Sequence, residues 1–190
     1  EDFEVRIVDD EDNEVPVGQP GEIIIRPRHP DIMFSGYWNR PEDTLKIMRN
    51  LWLHSGDIGR MDEDGFMFFV DRKKDYLRRR GENISSQELE ATFKKHDAIK
   101  DVAVHAVLAG SEDEVKATIT LKDGIRISER ELCEWCLDKV PYFAVPRFIE
   151  FRSDLPRNPV GRVLKYQLRD EGCTQNTWDR EKDDIQFEKR

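Results

Sequence analysis

The sequence is poor in features that would point to a secreted, membrane-spanning or nucleic-acid-binding protein. Three cysteines in 190 residues are too few, and odd in number, for a disulfide scaffold, and they suit a reducing compartment. No apolar run approaches the roughly 20 residues that span a membrane as a helix, and no signal peptide is visible. Acidic residues outnumber basic ones by 40 to 31, which disfavours binding to phosphate backbones. We therefore expect a cytoplasmic protein without a membrane span or a nucleic-acid partner.

Apolar residues are also scarce. Hydrophobic and charged residues each make up 37% of the chain, whereas charged residues typically make up about 25%. A length of 190 residues suits one domain or slightly more. This composition predicts a modest core under a highly charged surface, as in a small lid domain or in a fragment that lacks its neighbours.

The cysteines and histidines do not form a recognisable metal motif. Cys133 and Cys136 have redox or metal spacing, but they lie in an amphipathic helical pattern and no second Cys/His pair accompanies them. Two small core residues one turn apart are therefore the preferred interpretation. The four histidines are scattered along the chain. We expect no metal ligands in this sequence.

Residues 1–70 have the pattern of short strands and turns. Apolar and polar residues alternate in one segment, β-branched or aromatic runs follow glycine-containing turns in others, and a proline stands where a helix would begin. The predicted elements are strands at 3–8, 21–25 and 66–70 and a helix at 41–50. This part is predicted to be mostly β.

From Asp71 onward, helices and strands are interleaved. Ser85–Glu88 and Ser128–Glu131 have the spacing of helix capping boxes, and apolar residues then recur on one helical face. Further elements are predicted as strands at 99–108, 115–121 and 147–151 and a helix at 163–169. The chain is thus predicted to be α+β, with a β-rich part at 1–70, a compact domain with a three-stranded sheet and flanking helices at 71–170, and a charged tail at 171–190.

The most informative stretch runs from Leu51 to Glu90. It contains a Ser-Gly-Asp turn that ends at Asp57, a hairpin, the charged run at 71–75, a turn at Gly81 and a capped helix. In this order and spacing, these pieces resemble the hinge region of the adenylate-forming enzymes. That superfamily includes the acyl-CoA synthetases, the luciferases and the adenylation domains of peptide synthetases.

A second set of residues carries the same resemblance. The family's Gly-Glu, Gly-Tyr and Pro-Glu-x-Thr sequences are matched by Gly21-Glu22, Gly36-Tyr37, Pro41-Glu42 and Thr44. The resemblance covers residues 1 to about 170. It implies that residues 1–70 are the C-terminal end of the large adenylation domain, a remnant of a distorted barrel, and that residues 71–170 are the lid domain.

The resemblance assigns roles to three residues near the boundary. In the family, the aspartate of the Ser-Gly-Asp turn accepts hydrogen bonds from both ribose hydroxyls of ATP, as one carboxylate can. That residue is Asp57, although an aspartate that bonds its own turn would be the simpler interpretation in isolation. Arg72 matches a nucleotide-contacting arginine, with Asp71 in place of the usual preceding glycine. Lys74 matches the hinge residue about which the lid rotates between two reactions.

Gly81 stands in the family's glycine loop, which lines the tunnel for the pantetheine arm of coenzyme A. Related enzymes often have two glycines there, and Arg80 occupies the first place in this chain. The run 72–80 holds six basic residues and one acid, against the sign of the whole chain. A solvated hairpin is the alternative interpretation. We expect Arg78, Arg79 and Arg80 to hold coenzyme A phosphates beside Gly81.

The segment Leu155–Lys165 resembles the final family motif, whose lysine bridges the carboxylate and the α-phosphate during adenylation. Arg162 stands in the place of that lysine. It keeps the positive charge, but a planar guanidinium does not replace a compact ammonium. Three interpretations stay open: Arg162 substitutes with reduced efficiency, Lys165 supplies the ammonium, or adenylation is impaired. The first is preferred.

The resemblance implies an AMP-forming acyl-CoA synthetase, nearest in wording to the crotonobetaine/carnitine-type CoA ligases. Such an enzyme uses ATP and Mg²⁺ to convert a small carboxylic acid to an acyl-adenylate and then transfers the acyl group to coenzyme A. The phosphate loop, most of the Mg²⁺ site and the acyl pocket belong to an N-terminal domain that this sequence lacks. The polypeptide alone is therefore expected to be inactive.

Two alternatives stay open. One is an adenylation domain that loads a carrier protein, and the other is a non-catalytic lid-like module that binds nucleotide or a partner. The substitution of Arg162 for lysine is the one feature that favours the second. A homo-oligomer is compatible with either.

Overall fold

The computed structural model describes residues 2–110, 112–183 and 185. The chain forms two compact units, Glu1–Lys74 and Asp75–Arg190, which are described separately below. The division falls a few residues after the boundary predicted from sequence.

The first unit is an antiparallel sheet with one short helix. Its elements are β1 (Phe3–Val8), β2 (Gly21–Pro27), α1 (Pro41–Ile47), β3 (Met48–Arg49), β4 (Trp52–Met61) and β5 (Met67–Arg72). The strand order is β1-β2-β4-β3, and β5 also pairs with β4. The helix was predicted to reach Asn50, but it ends at Ile47. Asn50 and Leu51 have positive φ and turn the chain, so that β3 pairs back onto β4.

The core of this unit is small and centres on Trp52. Its indole packs with Val8 and Ile24, and the guanidinium carbons of Arg6 and Arg26 lie 4.8 and 4.5 Å from the ring centroid. Such contacts cover an aromatic ring with long side chains whose charged ends stay in water. The unit thereby stabilises its sheet with few apolar residues.

A β-bulge lies beside Asp57 in the pairing of β4 with β5. The register shifts between Ile58 and Gly59, where β5 carries one extra residue, Val70, and a bulge of this kind bends a strand and redirects its side chains. Gly59 is needed there because a Cβ would lie 2.8 Å from Ile23 Cδ1 and 3.0 Å from the carbonyl oxygen of Phe68. Residue packing therefore fixes the irregularity that follows Asp57.

The second unit is α+β. Its elements are β6 (Leu77–Arg79), β7 (Glu82–Ile84), α2 (Ser86–Phe93), β8 (Ile99–Ala109), β9 (Glu112–Leu121), α3 (Glu129–Cys136), β10 (Phe148–Phe151), α4 (Lys165–Glu171) and β11 (Trp178–Asp179). β6 and β7 form a separate hairpin, and the main sheet has the order β11-β10-β9-β8. β9 and β10 are parallel, and the other pairs are antiparallel.

The two faces of the main sheet differ in chemistry. Because side chains alternate along a strand, one face of β8 and β9 is apolar and packs with side chains of α2 and α3. The opposite face carries a layer of buried polar side chains, including His105, Lys116, Thr118 and Glu150, and α4 contributes Leu168 to a smaller cluster on Ala103. Both faces of the sheet are thus covered within this unit.

The predicted α+β class is confirmed, with one addition to the sheet. The three predicted strands are present, and α2 and α3 begin after Ser85 and Ser128, whose hydroxyls cap them. The predicted tail supplies a fourth strand, β11, which pairs with β10. The helix predicted at 163–169 begins instead at Lys165. Among the described residues, no helix has the length and apolar character to cross a membrane.

Candidate active site

Asp57 lies in β4 at the end of a turn whose backbone is tightly held. Ser55 Oγ accepts a hydrogen bond from the Asp57 amide at 3.1 Å and donates one to the Ile23 carbonyl at 2.7 Å. Gly56 has a φ of +71°, which glycine adopts without steric cost. The turn therefore presents the Asp57 carboxylate from a fixed backbone, with 26% of the side chain exposed.

Arg72 lies directly across from Asp57 in the register of β4 and β5. Its Nη1 is 2.7 Å from Asp57 Oδ1. That oxygen is buried and makes no hydrogen bond of good geometry among the described residues, so the contact is an ion pair. The structure thus brings together the two residues that the sequence analysis assigned to nucleotide binding.

Glu22 is a functional candidate that the sequence analysis missed. It is 4% exposed, and its Oε1 accepts a hydrogen bond from the Gly56 amide at 3.2 Å. Its Oε2 lies 2.9 Å from Lys73 Nζ and 3.1 Å from His54 Nδ1. Burial acts to raise the pKa of Glu22, but the hydrogen bonds from Lys73 and His54 outweigh it and the pKa lies below its ordinary value. The residue is therefore a buried carboxylate held in its charged form.

Lys74 is exposed and is the last residue of the first unit. It lies in a short 3₁₀ turn, Lys73–Asp75. On its far side, Asp75 Oδ1 is 2.5 Å from Arg169 Nη1 of α4. The predicted hinge residue therefore lies between Lys73, which bonds Glu22 in the first unit, and Asp75, which bonds Arg169 in the second.

The β6–β7 hairpin carries the arginines expected at coenzyme A. Arg80 and Gly81 form its turn with φ values of +52° and +84°, as a two-residue turn of the primed type requires. Arg78 and Arg80 are exposed. Arg80 thus holds a backbone conformation that favours glycine.

The surroundings of Arg79 weigh against the predicted contact with coenzyme A. It is 3% exposed, its Nε lies 2.6 Å from Glu114 Oε2 and its Nη1 donates to the Phe143 carbonyl at 2.9 Å. A guanidinium held this way cannot reach a ligand phosphate without breaking a buried ion pair.

Arg162 lies at the end of a compact loop formed by residues 158–162. Asn158 Oδ1 accepts hydrogen bonds from the amides of Val160 and Arg162 at 3.1 and 2.8 Å. Gly161 has a φ of +84°, and the Arg162 side chain is exposed. The loop therefore displays a cation on a backbone that is held by its own side-chain hydrogen bonds.

Lys165 has a different environment from Arg162. Its Nζ lies 2.6 Å from Glu90 Oε1 and donates to Ser86 Oγ at 2.7 Å, and its side chain is only 12% exposed. Burial raises the pKa of Glu90, and Lys165 offsets part of that effect. This bonding ties α4 to α2 and weighs against Lys165 as a substitute for the family lysine.

The cysteines do not extend the site. Cys133 and Cys136 are fully buried in α3 as part of the main core, and Cys136 Sγ donates to the Cys133 carbonyl at 3.1 Å. Over the described ranges, no group of three or more His, Cys, Asp or Glu side chains could hold a metal ion.

The fold and the site together define an α+β domain that follows a β-hairpin with a carboxylate–guanidinium pair. Residues 88–162 match the family described as the AMP-binding enzyme C-terminal domain. The chain therefore contains a domain of this family.

Relatives extend the match over most of the chain. A long-chain-fatty-acid–CoA ligase of Escherichia coli O6:H1 is 42% identical over 168 residues, which is 88% of this chain and 29% of the relative. A crotonobetaine/carnitine–CoA ligase of Salmonella heidelberg is 40% identical over 88% of this chain and 33% of the relative. The ATP-bound structure of MatB from Rhodopseudomonas palustris has a TM-score of 0.79 at 29% identity and covers 90% of this chain and 34% of that one. The chain thus spans about a third of the length of the proteins it matches.

Proposed function

We propose that the complete protein containing this chain is an AMP-forming acyl-CoA ligase. It would activate a carboxylic acid with ATP to an acyl-adenylate, release pyrophosphate and transfer the acyl group to coenzyme A. The observation that carries the proposal is the pairing of Asp57 with Arg72, 2.7 Å apart on adjacent strands. The CoA ligases among the relatives and the ATP-bound structural neighbour support the same reaction.

The proposed role of Asp57 follows from its chemistry. One carboxylate offers two acceptor oxygens, and the vicinal hydroxyls of a ribose offer two donors. Arg72 faces Oδ1 of this carboxylate, so it orients the group while also offering cationic N–H donors toward a nucleotide. Mg²⁺ would be held mainly outside this chain, since the described residues contain no cluster that fits a metal ion.

The proposed role of the second unit is to supply charge and then withdraw it. Arg162 is exposed on its loop, and in the adenylation step its guanidinium would neutralise charge that develops between the acid and the α-phosphate. Rotation about Lys74 would then replace Arg162 with the Arg78–Gly81 hairpin at the reaction centre. Arg78 and Arg80 would there face coenzyme A phosphates.

The function is tested by pyrophosphate release in the complete protein, with medium- and long-chain fatty acids and with carnitine-like acids as substrates. Asp57→Asn should raise the KM for ATP by about tenfold or more, because an amide cannot accept both hydroxyls as strongly as a carboxylate can. Asp64→Asn, an exposed turn substitution, is the matched control and should leave KM unchanged. Absence of pyrophosphate release with every acid would contradict the proposal.

A non-catalytic nucleotide-binding module is the second candidate, because Arg162 replaces the catalytic lysine of the family. This candidate predicts that the complete protein binds ATP in a manner sensitive to Asp57→Asn but does not exchange pyrophosphate. The ligase predicts both binding and exchange.

A further inference from the structure

We propose that Glu22 is a positioning residue that fixes the turn of Asp57 and the start of the hinge with a single carboxylate. This inference rests on the proposed ligase function for its catalytic meaning. Glu22 is 4% exposed in β2, and its two oxygens are bonded to different parts of the first unit. A buried charge of this kind is costly unless each oxygen is satisfied.

The first oxygen of Glu22 holds the turn that leads to Asp57. Oε1 accepts a hydrogen bond from the amide of Gly56, the residue before Asp57, at 3.2 Å. Gly56 is the turn's only positive-φ position, and the bond from Glu22 holds its peptide unit. Loss of this acceptor would leave Asp57 to be held by the bond of its amide to Ser55 and by the ion pair of its carboxylate with Arg72.

The second oxygen of Glu22 binds Lys73, the residue before the predicted hinge. Oε2 accepts a hydrogen bond from Lys73 Nζ at 2.9 Å, and the same ammonium lies 2.9 Å from Asp10. These carboxylates raise the pKa of Lys73 despite its partial burial, so the lysine stays charged. The residue immediately before Lys74 is therefore bonded to two points of the first unit.

A matching bond lies beyond Lys74. Asp75 is bonded to Arg169 of α4 within the second unit, at 2.5 Å. Glu22 thus bonds the residue before Lys74, and Arg169 bonds the residue after it. Glu22 also bonds the turn of Asp57 through the Gly56 amide.

The charge of Glu22 is essential to this arrangement. Lys73, His54 and Arg49 all face Oε2, with Arg49 Nη2 at 3.7 Å. Glutamine has the same length, but it replaces one acceptor oxygen by an N–H donor. It can therefore accept a full hydrogen bond from Gly56 or from Lys73 but not from both. Glu22→Gln is thus the most informative substitution for testing the two connections.

Hydrogen exchange of the present chain tests the double connection without any activity measurement. Glu22→Gln should raise exchange about tenfold in two separate segments, 55–58 and 71–74, because it removes one of the two bonds and weakens the other, since an amide oxygen is a weaker acceptor than a carboxylate oxygen. Lys73→Met should raise exchange only in 71–74. Glu63→Gln, an exposed turn substitution, should raise neither, and β6–β7 should be unchanged in all three variants.

Two exchange results would overturn the inference. One is unchanged exchange at 55–58 in Glu22→Gln, and the other is a uniform rise over β1–β5, which would indicate general destabilisation. In the complete protein, Glu22→Gln should raise the KM for ATP about tenfold and leave the KM for the acid within about twofold. If no acid supports turnover, the proposed function fails, whereas the exchange pattern still decides whether Glu22 connects the two segments.

Discussion

Lys165 Nζ lies 2.6 Å from Glu90 Oε1, and both side chains are mostly buried between α4 and α2. The lysine nearest to the family's catalytic position is therefore part of the internal packing of the second unit. A side chain in this role stabilises the domain, and its removal leaves a buried carboxylate without its partner.

We predict that Lys165→Met lowers the free energy of unfolding of the second unit by about 2–3 kcal/mol, because the desolvated Glu90 is left uncompensated. Urea denaturation of the present chain, followed by exchange of the α2 amides, measures the effect. The double variant Lys165→Met/Glu90→Gln should recover part of the loss, since the unpaired charge is gone. A Lys165→Met chain as stable as the parent would show that the pair contributes nothing.

Arg162 should behave in the opposite way. It is exposed, so Arg162→Ala should change the stability of the chain by less than about 0.5 kcal/mol. In the complete protein, the same substitution should lower the rate of pyrophosphate exchange about a hundredfold, as loss of a positioned cation does. Arg162→Lys should retain exchange or raise it, because it restores the compact ammonium of the family. Equal rates of pyrophosphate exchange in the parent, Arg162→Ala and Arg162→Lys proteins would show that this loop takes no part in the reaction.

The sequence placed Asp57 and Arg72 at one nucleotide site through the family resemblance, and it did not predict that they pair across β4 and β5. A glycine turn, a hairpin and alternating strands place both residues near the same strand pair, and few long-range contacts are needed. Glu22 was missed because its partners lie 34 and 51 residues away. One signal was present: an acid next to the run Ile23–Ile25 is expected to be buried and therefore to need a partner.

The burial of Arg79 was missed for a similar reason. Three consecutive arginines resemble a basic patch, but the period of a strand places Leu77 and Arg79 on the same face, and Leu77 is buried. The alternation therefore indicated a buried Arg79 in need of an acid, although it could not identify Glu114. The strand β11 within the predicted tail was missed for a comparable reason, because a two-residue strand at Trp178 has no periodicity to detect.

The hairpin arginines can be separated by substitution. Arg78→Ser/Arg80→Ser in the complete protein should raise the KM for coenzyme A about tenfold and leave the KM for ATP unchanged, because exposed cations contact phosphates directly. The Arg80→Gly variant alone should keep the fold, since its φ of +52° suits glycine. An unchanged KM for coenzyme A in the double variant would exclude the hairpin from coenzyme A binding.

Arg79→Met provides the contrast. It removes the partner of the buried Glu114 and should lower the stability of the second unit by about 3 kcal/mol. Hydrogen exchange of the β6–β7 and β9 amides reports the loss. If Arg79→Met kept full stability but raised the KM for coenzyme A, the assignment of Arg79 to packing would be wrong.

His105 should make the stability of the second unit depend on pH. Its side chain is fully buried in β8, with Nε2 3.1 Å from Thr118 Oγ1. Burial lowers the pKa of His105 from 6.5 to about 4, and the nearby cations Lys116, Arg169 and Lys165 act in the same direction. Between these two pH values the unfolded chain binds a proton that the folded chain does not. The stability that His105 contributes is therefore complete above pH 6.5 and is lost as pH falls toward 4, by up to roughly 3 kcal/mol.

His105→Gln should flatten this dependence, because glutamine does not titrate. The measurement is exchange protection of the β8–β9 amides between pH 5 and 6.5, a window above the ordinary pKa of the carboxyl groups. His29→Gln, an exposed substitution in the first unit, should leave the slope unchanged. The His105→Gln chain should be less stable than the parent at pH 7, because a buried hydrogen bond and good packing are lost, yet its stability should fall less as the pH is lowered. Parallel slopes in the two proteins would mean that His105 is already protonated in the folded unit, which its burial and the three surrounding cations oppose.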